Sequence, residues 1–386
     1  MKRKILFITG SRAEYGLLRK LILASAIDND IEMSLIVTGS HLSAKHGLTY
    51  KDIEKDNIKP TQKINISLHG DSPKDVINSM CIAMKRFSNA FLKVKPDLLV
   101  ILGDRYEIFS AASAAMILNL PIAHIHGGEV TEGAYDEAIR HSITKISHLH
   151  FVATDEFRKR IIQLGENPKT VFNVGGLGVD AIGDLKLLSK AEIEKNMNFK
   201  FGTKNLLVTV HPETRVDKRK QYKNMKTLLA ALKKYTEIKF IFTMPNADQH
   251  NDQIANLIKD FCFSNPSNSS FYFSLGQLTY LSCLKYIDGV LGNSSSGLLE
   301  VPSFKKGTIN IGSRQSGRPK ASSIIDCEFN KNEILNAINK LYSPSFKKNL
   351  SNTKNPYGKP GASKKILKNL KTFPLNNLLN KKFYDL

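Results

Sequence analysis

The sequence predicts an α/β protein made of two consecutive, Rossmann-like doubly wound domains facing a cleft. Three observations predict it. Short β-branched apolar runs recur along the chain, longer amphipathic stretches separate them, and this alternation breaks once near the middle and restarts. A chain of 386 residues, at about 150 residues per domain, has room for two or three cores.

In the first half the apolar runs are Ile5–Ile8, Leu35–Val37, Leu98–Leu102, Ile122–Ile125, Leu149–Val152 and Val171–Val174. They are apolar on both faces, as parallel strands covered by helices must be. Helical patterns lie between them, at Tyr15–Ala26, Asp75–Leu92 and Tyr106–Leu118. The Gly-rich stretch Gly175–Leu187, followed by a polar run through Phe201, marks a linker near residues 176–203. The pattern resumes with Leu206–Val210, Phe240–Thr243, Phe271–Leu275, Gly289–Leu291 and Thr308–Ile311. Residues 343–364 are rich in Ser, Pro, Asn and Lys and read as loop, and Lys364–Leu379 reads as a last amphipathic segment. The expected domains are residues 1–180 and 181–363.

Composition narrows the class. Hydrophobic residues make up 41% and charged residues 24%, with 24 Gly and 14 Pro, which excludes disordered, collagenous and coiled-coil chains. No apolar run approaches the roughly 20 residues of a membrane span. The start, Met1-Lys2-Arg3-Lys4 then Ile5–Ile8, has too short an apolar stretch for a secretory leader and reads as the first strand of a cytoplasmic protein. The four cysteines form no CxxC pair, so neither a disulfide framework nor a zinc site is expected. The net charge of +21 is uneven: residues 1–190 carry 25 − 21 = +4 and residues 191–386 carry 31 − 14 = +17. The lysines are scattered and not interleaved with aromatics, so this is read as solvated helix surface and no nucleic-acid partner is expected.

Ligands of doubly wound sheets bind beyond the carboxyl ends of the strands, so the residues after each apolar run are the ones to weigh. After the first comes Gly10-Ser11-Arg12-Ala13-Glu14-Tyr15-Gly16, neither a Walker A loop nor GxGxxG. Its turn N–H groups and Arg12 suit an anion, although an ordinary strand–helix turn with a solvated arginine reads the same way. After Leu98–Leu102 comes Gly103-Asp104-Arg105-Tyr106-Glu107, with Asp104 either catalytic or a helix cap. After Ile122–Ile125 the chain reads His126-Gly127-Gly128-Glu129. Period-2 spacing is expected to place His124 and His126 on one face, and His126 with Glu129 suits acid/base chemistry better than a metal. In Tyr135-Asp136-Glu137-Ala138-Ile139-Arg140, Asp136 and Arg140 are spaced as a helical i,i+4 pair. The second half offers His211-Pro212-Glu213, then Asn293-Ser294-Ser295-Ser296-Gly297 opening a helix, a diphosphate cradle by hydroxyl, N–H and dipole. Glu300 follows as an acceptor for ribose hydroxyls, and Gly312–Arg318 adds Arg314 and Arg318.

This set of motifs, in this order and over nearly the whole chain, resembles the UDP-N-acetylglucosamine 2-epimerases, and among them the hydrolysing branch of the NeuC type. The resemblance implies a GT-B-like fold with the sugar side and catalytic carboxylates in the first domain and nucleotide in the second. It also implies a C-terminal helix, 364–386, that rejoins the first domain. The implied reaction converts UDP-N-acetylglucosamine to N-acetylmannosamine and UDP for sialic acid biosynthesis. It runs through C2 proton removal with loss of UDP to 2-acetamidoglucal, then hydration, with no cofactor and no metal. Implied alternatives are a hydrolysing epimerase of UDP-2,4-diacetamido-2,4,6-trideoxyglucose for legionaminic acid, or a non-hydrolysing UDP-N-acetylglucosamine epimerase. By family position Asp104, Asp136, Arg140 and His211 carry over, with Glu129 and His126 as further acid/base candidates. Arg12, Ser294, Ser295, Gly297, Glu300 and Arg318 are the implied nucleotide contacts. Many relatives have Glu at the position of His126 and Lys at that of Leu17. A homodimer or homotetramer is implied, with no membrane partner.

Overall fold

The computed structural model describes residues 2–44, 47–68, 70, 72–130, 135–183, 185–211, 217–244 and 252–386. Among the described residues thirteen strands form two sheets. The first sheet holds β1 (Arg3–Thr9), β2 (Ile31–Thr38), β3 (Gln62–Ile64), β4 (Leu98–Leu102), β5 (Ile122–Ile125), β6 (Leu149–Val152) and β7 (Val171–Asn173). Their order is β3-β2-β1-β4-β5-β6-β7, with every pair parallel. The second sheet holds β8 (Lys204–Thr209), β9 (Ile238–Thr243), β10 (Ser269–Tyr272), β11 (Gly289–Gly292), β12 (Gly307–Ile311) and β13 (Ile324–Cys327). Its order is β10-β9-β8-β11-β12-β13, again all parallel. Strand order reverses between β1 and β4 in one sheet and between β8 and β11 in the other.

Strand periodicity explains why the apolar runs are unbroken. In β1, Ile5 and Phe7 enter the core on one face while Leu6 and Ile8 enter the core on the other. β4 repeats this, with Leu98, Val100 and Leu102 on the first face and Leu99 and Ile101 on the second. In the second sheet Leu206 and Val208 face one core and Leu207 the other. Each such side chain, buried from water, contributes about 1.5–3 kcal/mol before entropy is counted. Local signals set the helix starts. Ser72 and Asp75 form a reciprocal capping box with Pro73 in the first turn of Pro73–Val94, and Ser189 with Glu192 does the same for Lys190–Met197.

The chain divides into two units, Met1–Ala181 with Lys359–Leu386, and Ile182–Gly358. The helix Ala362–Thr372 belongs to the first because Ile366 and Leu370 bury against the core that contains Leu18, Leu21 and Ile22. Its N-cap is Gly361, which has no side chain to offer. Asp180 supplies the missing acceptors: its carboxylate takes the N–H of Gly361 at 2.5 Å and of Ser363 at 2.8 Å, and Lys20 balances the charge at 3.2 Å.

Several expected boundaries need correction. β3 and β13 were not expected, because a three-residue edge strand and the polar Asp326 in Ile324–Cys327 break the apolar signal. The run expected at Phe271–Leu275 pairs instead as Ser269–Tyr272, in register with Phe240–Thr243. Residues expected as loop contain a helix, Pro344–Leu350, capped by the Ser343 hydroxyl and started by Pro344. The Gly-rich 175–187 stretch likewise holds the helix Leu177–Gly183. No helix among the described residues is long and apolar enough to cross a membrane.

Asp180→Ala removes the acceptor of two helix N–H groups, those of Gly361 and Ser363. The expected loss is about 1–3 kcal/mol of stability, read as a lower thermal midpoint. An unchanged midpoint would show that the C-terminal helix is held by its apolar face alone.

Candidate active site

The strand-order reversal puts the ends of β1 and β4 side by side, and the charged residues of the first unit gather there. β4 ends in Gly103, in the left-handed region at φ 78°. Asp104 follows, and its carboxylate is ion-paired to the Arg140 guanidinium. Arg140 is buried, and its other arm donates to the Glu129 carbonyl at 2.9 Å. One guanidinium thus joins the β4 end, the loop after β5 and the helix Tyr135–Ile146. The helix after β4 is capped by the backbone of Arg105 with no side-chain bond, so Asp104 is not its cap.

Glu129 stands beside His126, whose Nδ1 lies 2.8 Å from Glu129 Oε1. The other ring nitrogen, Nε2, is buried and has no hydrogen-bond partner. The expected shared face of His124 and His126 does not form. β5 stops at Ile125, and His126 has a positive φ of 64°, which ends the strand alternation. His124 is fully buried, donates from Nε2 to the Gly103 carbonyl at 2.8 Å, and accepts from the Thr144 hydroxyl at 3.3 Å. Burial pushes its pKa down to about 3, so it ties β4 to the helix as a neutral ring.

The expected Asp136–Arg140 pair also gives way, because Arg140 is committed to Asp104 and Glu129. The charges acting on Asp136 are Arg105 and Glu107; burial pushes its carboxyl above the usual range, with Arg105 opposing and Glu107 adding. Those two belong to a cluster that the sequence reading passed over. Arg105 Nε donates to Glu107 Oε1 at 2.5 Å and lies 3.8 Å from Glu14 Oε1. The other Glu14 oxygen accepts the Gly10 N–H at 2.6 Å, which takes the turn N–H expected to serve an anion. A Cβ on Gly10 would stand 2.6 Å from Glu107 Oε1, so a glycine is required there to bury that carboxylate. Burial, then the Glu107 charge, push the Glu14 pKa up to about 8 against the pull of Arg105. The available signal was two glutamates flanking an arginine after neighbouring strands, legible only once β1 and β4 are known to be adjacent. Arg12 opens the helix Arg12–Ala26 and is exposed.

In the second unit the reversal between β8 and β11 is locked by Asn293. Its side chain accepts the His211 N–H at 2.7 Å and donates to the His211 carbonyl at 2.9 Å. Its own carbonyl accepts from Arg314 at 3.0 Å and Gln315 at 2.8 Å. The preceding Gly292 lies so close to β8 that a Cβ would be 1.8 Å from the Thr209 carbonyl. His211, Ser294 and Ser295 therefore sit at adjoining strand ends; Pro212 and Glu213 lie outside the described residues. The helix after the serines is short, Ser296–Leu299, and Gly297 packs its backbone against Thr308 of β12, whose hydroxyl donates to the Gly297 carbonyl at 2.8 Å. Tyr280, Ser296 and Glu300 form a hydrogen-bonded chain that orients the Glu300 carboxylate. Burial raises the Glu300 pKa and the Ser296 bond opposes it. Arg318 is half-buried in the loop after β12. Among the described residues no group of three or more His, Cys, Asp or Glu is placed to hold a metal ion.

Residues 24–371 match the family model for UDP-N-acetylglucosamine 2-epimerase. The chain belongs to the UDP-N-acetylglucosamine 2-epimerase family. This epimerase-family chain is 44% identical over 386 residues, all of both chains, to GDP/UDP-N,N'-diacetylbacillosamine 2-epimerase (hydrolyzing) of Campylobacter jejuni subsp. jejuni serotype O:2. It is 40% identical over 389 residues, covering 100% of this chain and 98% of the other, to polysialic acid biosynthesis protein P7 of Escherichia coli. Its fold matches that of UDP-GlcNAc 2-epimerase from Neisseria meningitidis bound to UDP-GlcNAc, with a TM-score of 0.81 at 21% identity over 95% of this chain and 99% of that one.

The Glu14 shift has a signed consequence for stability. Its folded pKa of about 8 lies above the ordinary carboxylate value of 4.5, so between the two the folded epimerase holds a proton that the unfolded chain has released. That contribution is full below the unfolded pKa and is lost as pH rises through about 8. Glu14→Gln mimics the protonated side chain. The difference between its thermal midpoint and that of the wild type should widen in the mutant's favour by several degrees from pH 6 to pH 9. A constant difference would place an ionised carboxylate at Glu14.

Proposed function

We propose that the chain is a hydrolysing 2-epimerase of a UDP-2-acetamido sugar, with the sugar bound by the first unit and UDP held mainly by the second. The observation that carries this reading is the Asp104–Arg140–Glu129–His126 network at the strand-order reversal of a chain in this family. In the first step a base takes the C2 proton while the C1–oxygen bond to UDP breaks, leaving a C1–C2 double bond. In the second, water adds its hydroxyl to C1 and a proton reaches the opposite face of C2. Both steps need carboxylates that differ in proton affinity and keep their places as charge moves.

Asp104 and Glu129 are proposed for the C2 proton and the water, Asp136 for sharing that proton work, and Arg140 for orienting both loops. His126, with a free Nε2, handles the hydration proton. His211 reaches the leaving phosphate, which Arg12, Arg318 and the Ser294-Ser295-Gly297 turn stabilise, and Glu300 accepts from ribose hydroxyls. The proposed assembly is a homodimer or homotetramer.

The substrate favoured first is UDP-N,N'-diacetylbacillosamine, the 2,4-diacetamido-6-deoxy sugar, supported by the 44% identity over both full chains to an enzyme named for it. UDP-N-acetylglucosamine stands second, supported by the 40% identity to the polysialic acid biosynthesis protein. Purified protein is incubated with each sugar nucleotide in deuterated water. A free, C2-deuterated 2-epimer with UDP in equal amount is the expected product, and kcat/KM ranks the two sugars. Deuterated but intact UDP-sugar would mean non-hydrolysing epimerisation. In the same assay Asp104→Asn should lower kcat on the order of 10²-fold or more with UDP binding retained. Near-normal turnover would remove Asp104 from the chemistry.

Hydration can be slowed apart from elimination. His126→Ala should release the glucal alongside UDP, seen by NMR as an alkene product, while the free 2-epimer falls. A proportional fall of UDP and 2-epimer with no glucal would reduce His126 to a packing role.

A further inference from the structure

The helix Tyr135–Ile146 carries Asp136 and Arg140 near its start, and its far end is gripped by the last residues of the chain. Lys381 lies 235 or so residues away in sequence, yet its ammonium donates to the Lys145 carbonyl at 2.6 Å and the Ser147 carbonyl at 2.7 Å. These carbonyls belong to the helix C-terminus, where intrahelical donors run out and where a cation is favoured by the dipole. The third N–H of the ammonium meets Glu166 Oε2 at 2.7 Å, so all three of its donors are used. Lys381 keeps only 22% of its side chain exposed, a large commitment for a lysine.

Glu166 is the other half of the grip. It is 1% exposed. It also accepts from Lys145 at 2.7 Å and from the fully buried His150 at 3.0 Å. Burial works against its charge, but these donors outweigh it and hold the carboxyl at about 2. Lys145 is itself a residue of the helix, so Glu166 ties the helix both directly and through Lys381. Two further contacts set the strap in register. The Tyr384 N–H donates to the Gly165 carbonyl at 2.9 Å. The Phe383 ring closes on Gly165 so tightly that a Cβ there would be 2.3 Å away, and Lys145 stands 5.0 Å from that ring's centre.

We propose that segment 381–384 is a strap that fixes the 135–146 helix along its axis, so that Lys381 and Glu166 act as positioning residues for the Arg140–Asp104 pair. The logic is mechanical. Arg140 must reach Asp104 and the Glu129 carbonyl together, from the second turn of the helix. An anchored far end limits sliding of that helix, and a displacement of about 1 Å at a reacting group costs on the order of 10²-fold in rate. This rests on the reading that the Asp104 network is the sugar site.

The test uses the full chain with Lys381→Met, which keeps the apolar stem and removes the ammonium. Glu166 retains Lys145 and His150, so the fold is expected to survive. Lys381→Arg keeps charge and donors and serves as the rescue. Amide hydrogen exchange across residues 140–147 should quicken at least tenfold in Lys381→Met and return toward wild type in Lys381→Arg. Turnover of the better sugar nucleotide should follow, with kcat about tenfold lower in Lys381→Met, and with KM and the thermal shift by UDP unchanged. Unaltered exchange overturns the strap. Faster exchange with wild-type kcat overturns the positioning role, and so does a rise in KM together with weaker UDP binding and lower kcat, which marks general loss of structure. A wild-type protein that turns over neither sugar overturns the functional reading, while the exchange result still decides the strap.

Discussion

A buried guanidinium governs the first unit. Arg140 is 5% exposed, and an arginine cannot shed its charge, so the surrounding chain has to supply anionic and carbonyl oxygen. Asp104 and the Glu129 carbonyl meet that demand, which draws three segments together: the β4 end, the glycine pair after β5, and the helix at 135–146. Loss of either partner of such a pair leaves an uncompensated buried charge, typically about 3–5 kcal/mol. The same contact that holds these loops down also aims the Asp104 carboxylate, so packing and site chemistry share one cause.

Around that contact the carboxylates divide by environment. Glu14 is buried beside Glu107 and holds its proton to about pH 8, while Asp136 is raised by burial with Arg105 and Glu107 in view. Asp104 lies against Arg140 and Glu129 against His126. Groups of one chemical type with separated proton affinities are what a reaction that first removes and then returns a proton requires. The second unit has the complementary construction. Asn293 satisfies both backbone groups of His211, and Gly292 lets β11 approach β8, so the serine turn and the histidine stand at neighbouring strand ends.

How much of this was legible in the sequence follows from the range of each interaction. β1, β4, β5 and β6 could be read from their own residues, since a strand covered on both faces must be apolar at every position, and Leu98–Leu102, Ile122–Ile125 and Leu149–Val152 match residue for residue. β3 and β13 could not, because edge strands and strands with a solvent-facing Asp326 carry no such run. The motif residues after each strand were likewise visible, Asp104, His126, Glu129, Asp136, Arg140 and His211 among them, because the location of a ligand crevice follows from topology alone.

Pairing was not visible. Asp136 and Arg140 have helical pair spacing, yet Arg140 turns to Asp104, 36 residues away, because a buried guanidinium takes the partner that burial offers rather than the one that sequence spacing offers. His124 and His126 have strand spacing, yet a single positive φ at His126 separates a structural ring from one with a free nitrogen. Glu14, Arg105 and Glu107 become a cluster only when β1 and β4 pair, and Lys381 becomes the end-cap of a helix only when the tail folds back. The sequence by itself determined residue chemistry and local periodicity, which are set by neighbours a few positions apart. Which charge faces which, and which nitrogen is left open, was decided by the tertiary structure, because desolvation acts on whatever the fold brings into contact.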